Sequence, residues 1–175
     1  MATQGRARRL FLGTTAAALA SLGTGVLTGC GFQLRRPTPM PFSRLALQGF
    51  APRSALAEDL RRALSPSVQI EEAPERAEVV LVALEDTVRR SIVASTATGQ
   101  VRELQLRLEF GFRVATPAGL ALAPPARLVL ARDLSFSETA ALAKELEEAQ
   151  QLREMRADIV SQVQRRLASV RLAAR

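Results

Sequence analysis

Leu104, Leu106, Leu108, Phe110, Phe112 and Val114 put an apolar residue at every second position, with Gln105, Arg107, Glu109, Gly111 and Arg113 between them. No helix repeats in steps of two, so the run predicts a long strand with one buried and one wetted face. Thr116-Pro117-Ala118-Gly119 supplies the turn after it, and Pro124-Pro125 is expected to end the connecting loop. The next strand, Arg127 to Phe136, would bury Leu128, Leu130, Leu134 and Phe136, with Arg132 interrupting its apolar face.

The elements around this strand follow from spacing and stop signals. Leu45 and Leu47 alternate with polar or small neighbours and suggest a short first strand ending at Gly49. Residues 53–65 read as a helix: Ser54 can cap it, Leu56, Leu60, Ala63 and Leu64 form its apolar stripe, and Pro66 stops it. Val68–Ile70 and Ala77–Leu84 are taken as one extended region interrupted by an acidic stretch. Its run from Val79 to Leu84 suits a covered strand, and extended character continues through Val88, Ile92 and Val93 to a turn at Thr98-Gly99. Ser135-Phe136-Ser137-Glu138 fits a capping box. From there Leu142, Leu146, Ala149, Leu152, Met155, Ile159, Val163, Leu167 and Val170 recur every three or four residues, predicting one long helix over 138–170, roughly 50 Å at 1.5 Å per residue. The expected architecture is α+β, order β-α-β-β-β-α. Two helices would pack on one face of a mostly antiparallel four-stranded sheet, leaving Gln105, Arg107, Arg113 and Arg127 on the other.

Composition removes most catalytic chemistry. The 175 residues contain no His, Trp or Tyr and a single cysteine, Cys30. Imidazole acid/base work, Cys/His metal sites and Ser-His-Asp triads are therefore excluded, and neither a metal nor another cofactor is expected. The acids cluster as Glu71-Glu72, Glu85-Asp86 and Glu147-Glu148 in polar settings, so none is expected to have the raised pKa of a carboxylate general acid. Aromatics are 4%, all Phe, too few for a base-stacking platform. The net charge of +7 falls to +4 without Arg6, Arg8 and Arg9, which is no charge for a nucleic-acid binder.

Those three arginines open a tripartite N-terminus. Residues 10–27 follow as a weakly apolar run, then Leu27-Thr28-Gly29-Cys30. The run is long enough to span a bilayer as a helix. However, seven of its residues are Gly, Thr or Ser, which better describes a cleaved signal peptide over 1–29. Leu-Thr-Gly-Cys resembles the lipobox of bacterial lipoproteins, which implies lipidation of Cys30: its sulfur would take a diacylglycerol and its new amine an acyl chain. Gly31, where an Asp would favour the inner membrane, implies outer-membrane sorting by the same resemblance. Arg8-Arg9-Leu10-Phe11-Leu12 also resembles a twin-arginine signal. Residues 30–42, with prolines at 37, 39 and 41, read as a lipidated start and extended tether, and 43–175 as the folded domain.

Leu27-Thr28-Gly29-Cys30-Gly31-Phe32-Gln33-Leu34-Arg35 resembles the mature start of the lipopolysaccharide-assembly lipoprotein family LptE, Cys-Gly-aromatic-x-Leu-Arg. The resemblance continues through Gly99-Gln100-x-x-Glu103-x-Gln105, Arg132-x-x-Ser135-Phe136 and Ala141-Leu142-Ala143-Lys144. It implies a non-catalytic outer-membrane lipoprotein, lipid-anchored on the periplasmic side. Such a protein would assemble with and plug the LptD β-barrel and take part in lipopolysaccharide transport. Lys144, the only lysine, falls where the family motif has its basic residue. It is read either as a lipopolysaccharide contact or as a solvated lysine pairing with Glu148. Where relatives can carry a cation before Gly-Gln, this chain has Ala97-Thr98, so that role would pass to Arg102, nearer in sequence, or Arg90. The competing function is an unrelated periplasm-facing lipoprotein that binds small amphiphiles between helices and sheet.

Overall fold

The computed structural model describes residues 38–172; the expected leader, Cys30, and the tether as far as Pro37 lie outside that range. Five strands and two α-helices follow in the order β1 (Arg44–Gln48), α1 (Ala55–Leu64), β2 (Gln69–Glu71), β3 (Val79–Ser95), β4 (Val101–Ala115), β5 (Ala121–Ser135) and α2 (Ala141–Ala168). Short 3₁₀ turns at Pro74–Arg76 and Glu138–Ala140 precede β3 and α2. Packing begins before β1: Met40 is half-buried against the core and Phe42 is buried within it.

The α+β class and the helices on one sheet face agree with expectation; the sheet itself differs. It has five strands in the order β2-β1-β3-β4-β5, and β1 pairs in parallel with both β2 and β3. What the sequence suggests is one interrupted extended region is two strands on opposite sides of β1. Pro74 starts the 3₁₀ turn that lets the chain pass between them. Only β3-β4-β5 forms the antiparallel meander.

Each element forms for a local reason. Ser54 caps α1: its hydroxyl accepts from Ala57 N–H at 3.1 Å and donates to Asp86 on β3 at 2.6 Å. Gly49 sits at φ 78°, and a side chain there would run into the Ala83 carbonyl, so the chain can leave β1 close against β3 only with glycine. In β4 every even position from Leu104 to Val114 is buried, as the alternation requires. These residues meet Leu56, Leu60 and Leu64 of α1 and Met155, Ile159, Val163 and Leu167 of α2 in one core.

β3 changes parity along its length. A bulge between Ala83 and Glu85 puts odd residues Val79 and Leu81 on the helix face before it, and Val88, Arg90 and Ile92 on that face after it. Gly111 lies opposite the bulge, where a Cβ would press on those of Glu85 and Leu84.

β5 departs from its expected bounds. It starts at Ala121 and runs through Pro124-Pro125, which it tolerates as a sheet edge, where a missing N–H costs no ladder bond. Its register with β4 shifts beside them. The Pro124 carbonyl accepts from Arg166 of α2 at 2.8 Å. Arg132, the break in the apolar face, reaches Asp158 of α2 at 3.8 Å.

The capping box does not form. Ser135 ends β5 instead, and α2 begins at Ala141 with no side-chain cap. The helix is nearly as long as expected, but only its second half is buried. Leu142 and Leu146 are 72% and 67% exposed, whereas Met155, Ile159, Val163 and Leu167 are at zero. α1 is ten residues long and reaches only the second half. There Arg156 pairs with Asp59 at 2.9 Å, and Gln164 donates to the Ala63 carbonyl at 2.9 Å.

Candidate functional site

Arg90, Arg102 and Lys144 all come to the end of the sheet where β4 begins, β5 ends and α2 starts. The pair Ser135-Phe136 connects them. The bulge in β3 turns Arg90 to the helix face, where its guanidinium lies 5.8 Å over the Phe136 ring and 3.2 Å from the Glu148 carboxylate. The Arg102 carbonyl accepts from Phe136 N–H at 2.8 Å, and its exposed side chain lines a shallow depression with Gln100, Ser137 and Thr139. Lys144 donates to Ser135 Oγ at 2.9 Å and pairs with Glu147 at 2.7 Å.

Glu148, the expected partner of Lys144, is instead the partner of Arg90. Position i+4 from Lys144 lies close to the underside of α2, where a strand arginine can reach it, while i+3 stays on the flank. Lys144 is therefore an ordered lysine rather than a freely solvated one, its side chain only 22% exposed. Sequence reasoning missed Phe136 as the platform under Arg90, Glu147 as the partner of Lys144 and Glu148 as the partner of Arg90. The i+3 spacing is the only local signal for any of these; the rest depends on a cross-sheet approach.

Beside the cations lie exposed apolar side chains. Leu142 and Leu146 project from the overhanging half of α2, and Val88 and Ile92 are 51% and 61% exposed on β3. A groove of about 340 Å³ runs between the two elements, lined by Arg90, Glu145, Glu148, Ala149 and Leu152. Such a surface suits a ligand with anionic groups and an apolar body. Guanidinium and ammonium groups can exchange their glutamate partners for phosphate or carboxylate, and leucines gain from leaving water.

The opposite sheet face carries a different cluster. Glu109 is 3% exposed, held by Arg107 at 2.6 Å and by Arg127, which also reaches Glu85 at 3.2 Å. The Arg107 hydrogen bond, and after it Arg127, keep the Glu109 carboxyl below the usual range against the opposing pull of burial. This is the reverse of what a general acid requires. Among the described residues no group of three or more carboxylates or cysteines is placed to hold a metal, and no helix is long and apolar enough to cross a membrane.

Comparison with curated proteins finds no match. Among solved structures, the chain is similar to an uncharacterized lipoprotein B from Nitrosomonas europaea, with 26% identity, 79% of this chain and 91% of that one covered, and a TM-score of 0.68. It is also similar to the rare lipoprotein B from Shewanella oneidensis, at 28% identity, 73% and 95% coverage and a TM-score of 0.60. A minor lipoprotein from Acinetobacter baumannii, at 24% identity, 78% and 100% coverage and a TM-score of 0.61, shares the fold. The family model for lipopolysaccharide assembly, LptE, matches residues 42–167, from the buried Phe42 to the last buried turn of α2. With the sheet, α1, the Ser135-Phe136 junction and all but the last residue of α2 inside that match, the chain belongs to the LptE family of lipopolysaccharide-assembly proteins.

Proposed function

We propose that this chain is an outer-membrane lipoprotein, anchored through Cys30, that joins and plugs the LptD β-barrel and handles lipopolysaccharide on its way to the surface without making or breaking bonds. The observation that carries the reading is the family match over residues 42–167. The cations at Ser135-Phe136 beside exposed Leu142 and Leu146 support it, because lipopolysaccharide presents phosphates and carboxylates next to acyl chains. Lys144, Arg90 and Arg102 are assigned to its anionic groups. Glu147 keeps Lys144 ordered and Glu148 keeps Arg90 ordered until a doubly charged phosphate replaces them. Two or three acyl chains at Cys30, at about 0.8 kcal/mol per buried CH₂, make the anchor permanent. Catalysis is absent from this role, in keeping with a chain that has no His.

The test is affinity purification of the full-length chain from solubilised outer membranes, with mass spectrometry of the eluate. A large β-barrel is expected to coelute, along with a Cys30 peptide carrying lipid. In the same assay Lys144→Asp is expected to retain the barrel and lower bound lipopolysaccharide about tenfold, the loss of one charge-assisted contact. A free monomer with no barrel and a small amphiphile in the groove beside Arg90 would instead favour the amphiphile-binding reading.

A further inference from the structure

The meander leaves two long strand edges, and they are not treated alike. β5 is the outer strand of the sheet, and its edge carries Pro124-Pro125, Arg127, Arg132 and Asp133. Prolines and charges of this kind are how proteins keep an edge from recruiting another strand. β3 has an edge as well, because β1 covers it only from Val79 to Val82. The turn at Gly49 and the Ser54–Asp86 bond close off the next few residues. Beyond them, Val88 to Ser95 pair only with β4 among the described residues. This stretch has no proline, lysine or acid; its charges are Arg89 and Arg90, and Val88, Ile92 and Val93 are 51%, 61% and 49% exposed. Its register with β4 shifts after Ile92 and again after Ala94, so the regular part of the edge is Val88 to Ile92.

We propose that the outer edge of β3 from Val88 to Ile92 receives an extended segment of a partner protein, paired strand to strand. Five residues offer about 17 Å of edge, with every second residue's N–H and C=O turned outward. The side chains specify the guest. Val88 and Ile92 share the helix face with the overhanging Leu142 and Leu146, so the added strand brings apolar residues on that side. On the other face Arg89 lies directly opposite Arg107 across the β3-β4 pair, and Arg107 is engaged by Glu109. Two cations opposed in this way cost stability, and an acidic residue of the guest beside Arg89 relieves it.

The same register argues against a second copy of this chain. Antiparallel self-pairing that uses all five residues matches Val88 with Ile92 and sets Arg90 against its own copy. A shift that sets Glu85 against Arg89 drives the pairing back to Ala83, where the turn at Gly49 already sits. This inference concerns a protein strand and does not rest on the lipopolysaccharide reading.

The test is photocrosslinking of the full-length chain in intact envelopes, with Ser91→benzoylphenylalanine as the probe. One protein adduct is expected, its crosslinked peptide mapping to an extended segment of alternating apolar residues with an acid. Arg89→Glu in the same chain is expected to lower that adduct about tenfold, with the circular dichroism of the purified protein unchanged. In the purified adduct, the outward amides of residues 88–92 are expected to exchange more slowly than in the free chain. A probe at Ala131 on the guarded β5 edge should give no comparable adduct. Adducts to lipid alone, to a second copy, or to no molecule would overturn the proposal, as would an adduct indifferent to Arg89→Glu or without amide protection.

Discussion

Glu109 stands at an odd position of β4, where the alternation assigns side chains to water, and yet it is almost wholly covered. Arg107 and Arg127 close over it from within the strand and from β5. Because these partners hold its carboxyl below the usual range, the folded chain binds fewer protons there than the unfolded chain. Its contribution to stability is therefore complete above the unfolded glutamate value, about 4.3, and is lost as pH falls through the lower folded one. Glu109→Gln keeps the shape and removes the charge. Its thermal midpoint is expected to lie below that of the native protein at pH 7, with the gap closing as pH falls below about 4. A thermal series from pH 7 to acid in low salt measures this directly; a constant gap would mean that the carboxylate is not what the arginines hold.

α2 is one helix with two environments. Its second half is clamped by α1 and the meander, and its first half overhangs past the end of α1. Ile159→Ala removes a fully buried side chain and is expected to cost about 2–5 kcal/mol. Leu142→Ser with Leu146→Ser alters side chains more than two-thirds exposed and is expected to shift stability by about 0.5 kcal/mol at most. Urea titration distinguishes the two. The periodicity cannot, because Leu142 and Ile159 repeat at the same spacing and differ only in what lies beneath them.

At the scale of the molecule, residues 38–172 form a hydrophobic core of their own. Anchoring and folding are then separable, and Cys30→Ser made in excess over the barrel is expected to appear in the soluble envelope fraction with an unchanged unfolding transition. Retention in the membrane pellet would place the anchor elsewhere.

The sequence by itself determined each element whose signal is local. The parity of β4, the Ser54 cap, the stripe of α1 and the length of α2 follow from repeats of two or about 3.6 residues and from stop signals within the same segment. It also excluded imidazole and thiol-histidine chemistry, since absent side chains need no fold to be absent. Tertiary structure alone decided the rest. A three-residue strand such as β2 holds too few residues for a period, and its place beside β1 depends on where the 3₁₀ turn carries the chain. Pro124-Pro125 can lie in a strand only because β5 is an edge, and edge position belongs to the sheet. Arg90 joins Phe136, Arg102 and Lys144 because a bulge inverts β3, and the partner of Lys144 is Glu147 because a strand arginine takes Glu148. Pairing across a sheet joins residues tens of positions apart, and no local periodicity records which partner wins.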